Sequence, residues 1–469
     1  MVGTNKQNSN ITHIQSPRGS KTIIRLNAAS VDYADIKALV QRGIDGFSIR
    51  PFAGPKENYT QLLGFIRQAA KENFRAVSII HELAGPQLSL GDFPGVIQVR
   101  RGQNLALAYL ADYATTCQIP LRYDLSQVVK RGQKLVIASS YVSLVVTAVR
   151  AGVIYAEAQT PGMLIKDREL ILPDTDFAGE IITPQDRNDL LFATSQDIDY
   201  ILLSMVQSAV DVASVRQLLK GMSSSIRLIV AIQSNRALQE LVDIAGETDI
   251  LLADVPALSL SAPPVSVPGH IRSIISAGRR MFTPTIIKLP ASHLDPADQL
   301  VIGSIVSAYM SGPDAVLFES VESGRDLAAA ALLNRLAKNT PLALEIRSER
   351  SDSLQANVLL TALEMAGSIG AKAIVTDIGT EEAANGLAAF RQSVPLVALT
   401  ESPILLRQLS VIYGVEAVLC PAGQSVTQRL DSLPKRCPFL VRGDIVVVVR
   451  AHNPGTSGVG DTLKVRMIG

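Results

Sequence analysis

Tryptophan is absent from the 469 residues, and aromatic residues of all kinds make up only 4%. A core must therefore be built from Ala, Val, Leu and Ile, which suits parallel strands buried on both faces. So few aromatics also leave no base-stacking platform for single-stranded nucleic acid. Neither sign of charge is in excess: 44 Lys and Arg stand against 43 Asp and Glu, a net +1. Without a basic excess, neither nucleic acid nor an anionic membrane is an expected partner. Cys117, Cys420 and Cys437 have no CxxC spacing and no nearby histidine, so no zinc site or disulfide framework is expected and a cytoplasmic compartment is. No apolar run approaches the roughly 20 residues that cross a bilayer. Residues 1–20 lack the apolar stretch of a secretory signal and read as a disordered tail. They also lack acidic residues, which leaves an organellar transit peptide open.

What is present is a hydrophobic content of 47%, enough to fold, on a chain long enough for two or three domains. Short β-rich apolar runs recur at Thr22–Leu26, Gly46–Arg50, Ala76–Glu82, Tyr200–Ser204, Leu228–Ile232, Ile250–Asp254, Thr285–Lys288 and Ala315–Glu319. Helical patterns such as Asp32–Gln41, Tyr59–Glu72 and Val210–Leu219 separate most of them. Eight such strands predict a parallel (β/α)8 barrel. The third and fourth runs are too far apart for one crossover. Between them, five further β runs from Val96 to Ala158 alternate with Gly and Pro turns, which predicts an inserted all-β unit. Gly85-Pro86 and Leu172-Pro173 mark its hinges.

A third unit begins near residue 340, where helical and strand patterns alternate from Leu354 to Ile468 as in an open α/β sheet. The expected division is a tail over 1–20 and a barrel over 21–87 and 179–339. The inserted β-barrel domain then spans 88–178 and the C-terminal α/β domain 340–469.

Several phrases resemble pyruvate kinases. They are the tail Gly455-Thr-Ser-Gly-Val-Gly-Asp-Thr-Leu-Lys-Val-Arg-Met-Ile-Gly469, the block Arg131–Val146, Gly312-Pro-Asp-Ala-Val-Leu317 and Ala84-Gly-Pro-Gln87. The resemblance covers about residues 20–469 and implies the same three-part architecture. It also implies phosphoryl transfer from phosphoenolpyruvate to ADP, with a divalent metal on a Glu and an Asp, potassium, and an Arg and a Lys on the phosphate. Cations are needed there because charge spreads over the moving phosphoryl group.

The strand ends, where a barrel carries its active site, depart from that family. The family's A-K-I-E-N is Val230-Ala-Ile-Gln-Ser234, without the lysine or the metal glutamate. Its A-R-G-D-L-G is Ala253-Asp-Val-Pro-Ala-Leu258, with Pro256 in the aspartate's place and Asp254 two residues earlier. R-L-N-F-S-H-G is Ser48-Ile-Arg-Pro-Phe-Ala-Gly54, D-T-K-G-P-E-I-R is Glu82-Leu-Ala-Gly-Pro-Gln-Leu-Ser89, and T-A-T-Q-M is Thr285-Ile-Ile-Lys-Leu289. Ser204 is a retained match.

Polar residues still stand at these ends: Arg25, Arg50, Glu82, Gln233, Asp254, Lys288 and Glu319. They suit a zwitterionic or carboxylate ligand, or they pair with one another and close the lumen. His81 should face away from Glu82, toward the helices, because strand neighbours alternate. The effector loop of the family corresponds to Thr380 with Gly455, Thr456, Ser457 and Gly458, though Glu381 and Glu382 oppose a phosphate there and suit a helix start instead.

The leading expectation is a homologue without the phosphotransfer reaction, a regulatory or scaffold protein with no cofactor. It would pair with itself as a tetramer or dimer, or with an active pyruvate kinase. One alternative is an enzyme repurposed for another phosphate or carboxylate ligand bound by Arg25, Arg50, Lys288 and Ser204. The other is a true pyruvate kinase with magnesium and potassium, its metal held by Glu82 and Asp254.

Overall fold

The computed structural model describes residues 19–26, 31–50, 56–86, 88–138, 142–173, 175, 177, 180–290, 299–318, 325–340, 354–377, 382–391, 394–450 and 462–469. Glu319 and the effector-loop candidates Thr380, Gly455, Thr456, Ser457 and Gly458 lie outside them.

Eight parallel strands close into a barrel, each paired with its neighbours in chain order and the last with the first. They are β1 (Lys21–Leu26), β2 (Gly46–Ile49), β3 (Ser78–Glu82), β4 (Tyr200–Leu203), β5 (Arg227–Ile232), β6 (Ile250–Asp254), β7 (Thr285–Leu289) and β8 (Ala315–Phe318). Side-chain alternation sorts their apolar residues. Ile23, Ile80, Leu202, Ile229, Leu252 and Leu317 fill the lumen. Ile24, Phe47, Ile79, Ile201, Val230 and Val316 meet the helices. Both faces are buried, so the strands read as continuous apolar runs.

Around the barrel run α1 (Tyr33–Gln41), α2 (Lys56–Glu72), α3 (Pro184–Thr194), α4 (Ala209–Gly221), α5 (Val267–Met281), α6 (Gln299–Met310) and α7 (Arg325–Asn339). Their starts are written locally. Asp32 caps α1, and Thr183 with Asp186 and Ser208 with Asp211 form reciprocal capping boxes on α3 and α4.

The insertion is a curled six-stranded sheet with a separate two-stranded one. The edge strands of the larger sheet are Ile119–Leu121 and Leu170–Ile171, and single bridges from Leu90 to Leu121 and from Ser89 to Glu169 reach both edges. One short segment thus draws the two edges toward each other and covers groups that would otherwise stay unpaired. Ile119–Leu121, Gly162–Leu164 and Leu170–Ile171 are too short for alternation to mark them in the sequence.

The C-terminal part contains α8 (Leu354–Ser368), β9 (Ala373–Asp377), α9 (Glu382–Ala389), β10 (Leu396–Thr400), α10 (Pro403–Gln408), β11 (Val415–Leu419), β12 (Ile445–Arg450) and β13 (Thr462–Met467). Its sheet runs β11-β10-β9-β12-β13, parallel except for the edge strand β13. The helical pattern at Pro403–Tyr413 stops at Gln408 and tightens into a 3-10 turn over Leu409–Val411, because the chain must turn at Gly414 (φ +64°) to enter β11.

This part sits against the N-terminal ends of the barrel strands. The lumen core continues without a break into Leu405, Leu409, Val411 and Ile412. The Tyr200 hydroxyl donates to the Gln408 carbonyl at 2.8 Å, and the Ser78 hydroxyl meets that of Ser410 at 2.9 Å. With one end of the lumen closed in this way, the opposite end is the one left to form a site. Among the described residues no helix is long and apolar enough to cross a membrane.

Candidate functional site at the barrel mouth

The alternation that points Ile23, Ile80 and Leu252 inward also points Arg25, Glu82 and Asp254 inward, two residues later along the same strands. Ser48 and Lys288 share this register on β2 and β7, and Arg50 and Gln233 continue it just past β2 and β5. The structure thereby gathers six of the seven polar strand-end residues into one layer at the C-terminal mouth.

Glu82 is its centre. Arg25 forks onto the carboxylate, Nε to Oε1 at 2.8 Å and Nη2 to Oε2 at 2.6 Å. The Ser48 hydroxyl donates to Oε1 at 2.6 Å, and Arg50 Nε stands 3.7 Å from Oε2. Burial alone would raise the Glu82 carboxyl. The charge and hydrogen bonds of Arg25, with the charges of Lys288 and Arg50, outweigh it and hold the group down at about 2.

A second cluster adjoins the first. Lys288 Nζ donates to Asp254 Oδ2 at 3.0 Å, and Gln233 Nε2 donates to the same oxygen at 2.9 Å. The Ala257 amide donates to Oδ1 at 3.2 Å, so Asp254 also caps the helix Val255–Ser261. Burial pushes the Asp254 carboxyl up, but Lys288, Gln233 and this amide prevail and keep it below its ordinary range. Gln233 turns its other end to accept the Met205 amide at 2.9 Å, pinning the segment after β4. Beside it, Leu172, Phe177 and Met205 line an apolar slot of about 50 Å³ between the inserted sheet and the barrel.

Ser204 follows β4 in the inward register and is half-buried, with no side-chain hydrogen bond among the described residues. Sequence reasoning treated Ser48 only as a lost arginine, and placed Gln233 at the strand ends without naming its partners. The structure makes Ser48 a donor to Glu82 and Gln233 a bridge between two strand ends. Strand parity was the signal that would have joined Ser48 to the cluster.

His81 faces outward. Its Nδ1 lies 2.5 Å from the Tyr59 hydroxyl of α2, and burial lowers its imidazole to about 4 despite the nearby charges of Glu82 and Asp186. It is neutral at ordinary pH and turned away from the mouth.

Among the described residues the layer holds three cations, Arg25, Arg50 and Lys288, and two carboxylates, Glu82 and Asp254; Glu319, the third strand-end acid, lies outside them. As placed, these residues do not fit a divalent metal. Both carboxylates are already engaged by arginine or lysine, and Lys288 would repel an ion between them. Among the described residues no group of three or more His, Cys, Asp or Glu is arranged to hold a metal.

A closed parallel barrel, an all-β insertion after its third strand, an α/β domain at its base and a charged mouth together define one three-part class of barrel protein. The model for the pyruvate kinase barrel domain matches residues 17–295, and that for the pyruvate kinase alpha/beta domain matches 356–466. The chain belongs to the pyruvate kinase family. It is 26% identical to a pyruvate kinase of Agrobacterium vitis, over 97% of this chain and 100% of that one. Against a pyruvate kinase of Geobacillus stearothermophilus it is 25% identical, over 96% and 80%. The fold matches a crystal structure of a pyruvate kinase from Cryptosporidium parvum with a TM-score of 0.85 at 21% identity, covering 96% of each chain.

Proposed function

We propose that the barrel mouth binds a small molecule carrying a phosphate or carboxylate group, and that the chain is a pyruvate kinase-family enzyme turned to such a ligand. The observation that carries this reading is Arg50, an exposed cation at the mouth whose contact with Glu82 is long, 3.7 Å, beside the close Arg25–Glu82 and Lys288–Asp254 pairs. Arg50 is the group placed to respond. More than half of its side chain is exposed and it stands 3.7 Å from Glu82, so an incoming anion competes for it without first breaking the shorter Arg25 pair.

Phosphoenolpyruvate carries both groups and is the first ligand to test. Titration calorimetry should show saturable binding, weakened roughly 10-fold or more by Arg50→Ala, since a charge-assisted hydrogen bond contributes about 1.5–3 kcal/mol. Equal affinity in the variant would remove this reading.

A second reading is phosphotransfer from phosphoenolpyruvate to ADP. The relatives favour it: curated proteins named pyruvate kinase match across 96–97% of this chain. It requires Glu82 and Asp254 to exchange Arg25 and Lys288 for a metal ion, and family members use magnesium and potassium. The test is turnover with magnesium or manganese plus potassium, measured against the Glu82→Gln/Asp254→Asn double variant. Activity abolished in the variant supports this reading, and activity no higher than the variant's rejects it.

The regulatory or scaffold role rests on the altered strand ends alone, and no contact in the structure favours it further. Members of the family are generally oligomeric, so self-association belongs to any of these readings and is read by light scattering.

A further inference from the structure

A second polar cavity lies at the other end of the barrel, where α4, the first residue of β5 and α10 meet. Its volume is about 420 Å³, within the range of small-molecule sites. Arg216, Lys220, Arg227 and Asp249 line one side, and Leu219 and Ile404 provide apolar wall.

The charges there are unequal. Asp249 is satisfied several times over. It accepts Arg216 Nη2 at 3.1 Å and the Leu228 amide at 2.8 Å, and Arg227 Nη1 stands 3.5 Å away. Arg227 also donates from Nε to Gln408 Oε1 at 3.1 Å. Gln408 is itself held from the other side, its Nε2 donating to the Ser225 carbonyl at 3.0 Å. Two arginines thus meet one carboxylate, and the Lys220 side chain adds a further positive charge with no side-chain hydrogen bond or ion pair among the described residues. The wall is built, positively charged and stitched to the C-terminal part through Gln408.

We propose that this cavity binds a phosphate monoester, its phosphate on Lys220 and on Arg216 Nη1, and its organic part on Leu219 and Ile404. Arg216 Nε and Nη2 meanwhile hold the Glu247 carbonyl at 3.2 and 2.7 Å. The charge excess is the reason for an anion. The apolar wall and the volume are the reason for an ester rather than a bare ion. The ligand would touch α4 of the barrel and α10 of the C-terminal part together, so its binding joins the two. The inference does not depend on what the barrel mouth binds.

The test is calorimetric titration of the full chain with phenyl phosphate, which supplies the phosphate and an apolar group. Lys220→Glu reverses an exposed charge in the last turn of α4, and Lys220→Gln, which removes the charge without placing an acid at the helix end, is its control for stability. The titration is run in the Arg50→Ala chain, which weakens the mouth, and we expect a saturable site there that Lys220→Glu weakens at least 10-fold. Inorganic phosphate should bind more weakly than phenyl phosphate by a similar factor. Absence of saturable binding to that chain overturns the proposal. So does a binding isotherm of the Arg50→Ala chain that Lys220→Glu leaves unchanged, because it places the anion elsewhere. Phosphate binding as well as its phenyl ester overturns the ester assignment, leaving an ion site only.

Discussion

Arg391, just after α9, closes a two-pronged ion pair on Asp314 at the base of the barrel. Nη2 meets Oδ2 at 2.6 Å and Nη1 meets Oδ1 at 3.2 Å, with both side chains almost fully buried. Asp314 accepts the Thr285 amide at 2.8 Å and the Tyr413 amide at 3.1 Å as well, while the Arg391 guanidinium stacks on the Tyr413 ring at 4.6 Å. One carboxylate therefore ties β7, the approach to β8 and the C-terminal part together. Arg391→Ala leaves Asp314 buried without its counter-charge and should cost about 3–5 kcal/mol in denaturant unfolding. Arg391→Lys keeps the charge but loses the fork and should still destabilise. A loss under 1 kcal/mol for the alanine variant would mean that water replaces the guanidinium.

Glu82 ties acid stability to the mouth. Its folded-state carboxyl, at about 2, lies below the ordinary 4.5, so its contribution is fully present above pH 4.5 and is lost as pH falls toward 2. A shift of that size corresponds to about 3 kcal/mol for a buried group. Glu82→Gln should destabilise the chain at pH 7 and flatten the fall in stability across that window. An unchanged acid profile would show that Arg25 and Ser48 do not hold the carboxylate as placed.

His81 acts in a higher window. Its imidazole is at about 4 in the folded chain against an ordinary 6.5, because burial disfavours the charged ring. Here the depressed value belongs to a base. The unfolded chain takes up the proton near pH 6.5 and the folded chain only near 4, so stability falls as pH drops between them. Within that window the slope reaches about 1.4 kcal/mol per pH unit for one proton. His81→Gln has no proton to take up, and the difference in slope between its stability curve and the wild-type curve should be confined to this window.

Gly278 marks a close approach of α5 to β7. A Cβ at this position would lie 2.4 Å from Thr285 Cγ2 and 2.6 Å from the Thr283 carbonyl oxygen. The carbonyl belongs to backbone and cannot step aside. Gly278→Ala should therefore destabilise by about 1–3 kcal/mol, despite alanine's better helix propensity. Chemical denaturation measures it, and a gain in stability would show that α5 shifts freely on the sheet.

Much of the frame was legible in the residues. Runs such as Ile250–Asp254 and Thr285–Leu289 announce themselves by β-branched content, and α3 and α4 by Thr183 and Ser208 three residues ahead of an aspartate. Ile119–Leu121 and Leu170–Ile171 were not legible, because two or three residues are too few to carry alternation. At the mouth, the inward register of Arg25, Glu82, Asp254 and Lys288 follows from counting along each strand. Their pairing does not, since Arg25 and Glu82 are 57 positions apart and Asp254 and Lys288 are 34 apart.

By itself, then, the sequence determined which side chains face the lumen and that its strand ends carry charge of both signs, because a strand's two-residue period is a local property of the chain. The closed barrel decided which charge meets which. Arg25 rather than Lys288 forks onto Glu82, and Gln233 spans the ends of β4 and β6, because the order of strands around the barrel sets those neighbours and no local pattern encodes it. The packing of the C-terminal part on the barrel's base likewise decided that Arg391 would be buried against Asp314 and that Arg216, Lys220 and Arg227 would share a cavity with Ile404. Desolvation, which gives those charges their weight, exists only once the two surfaces have met.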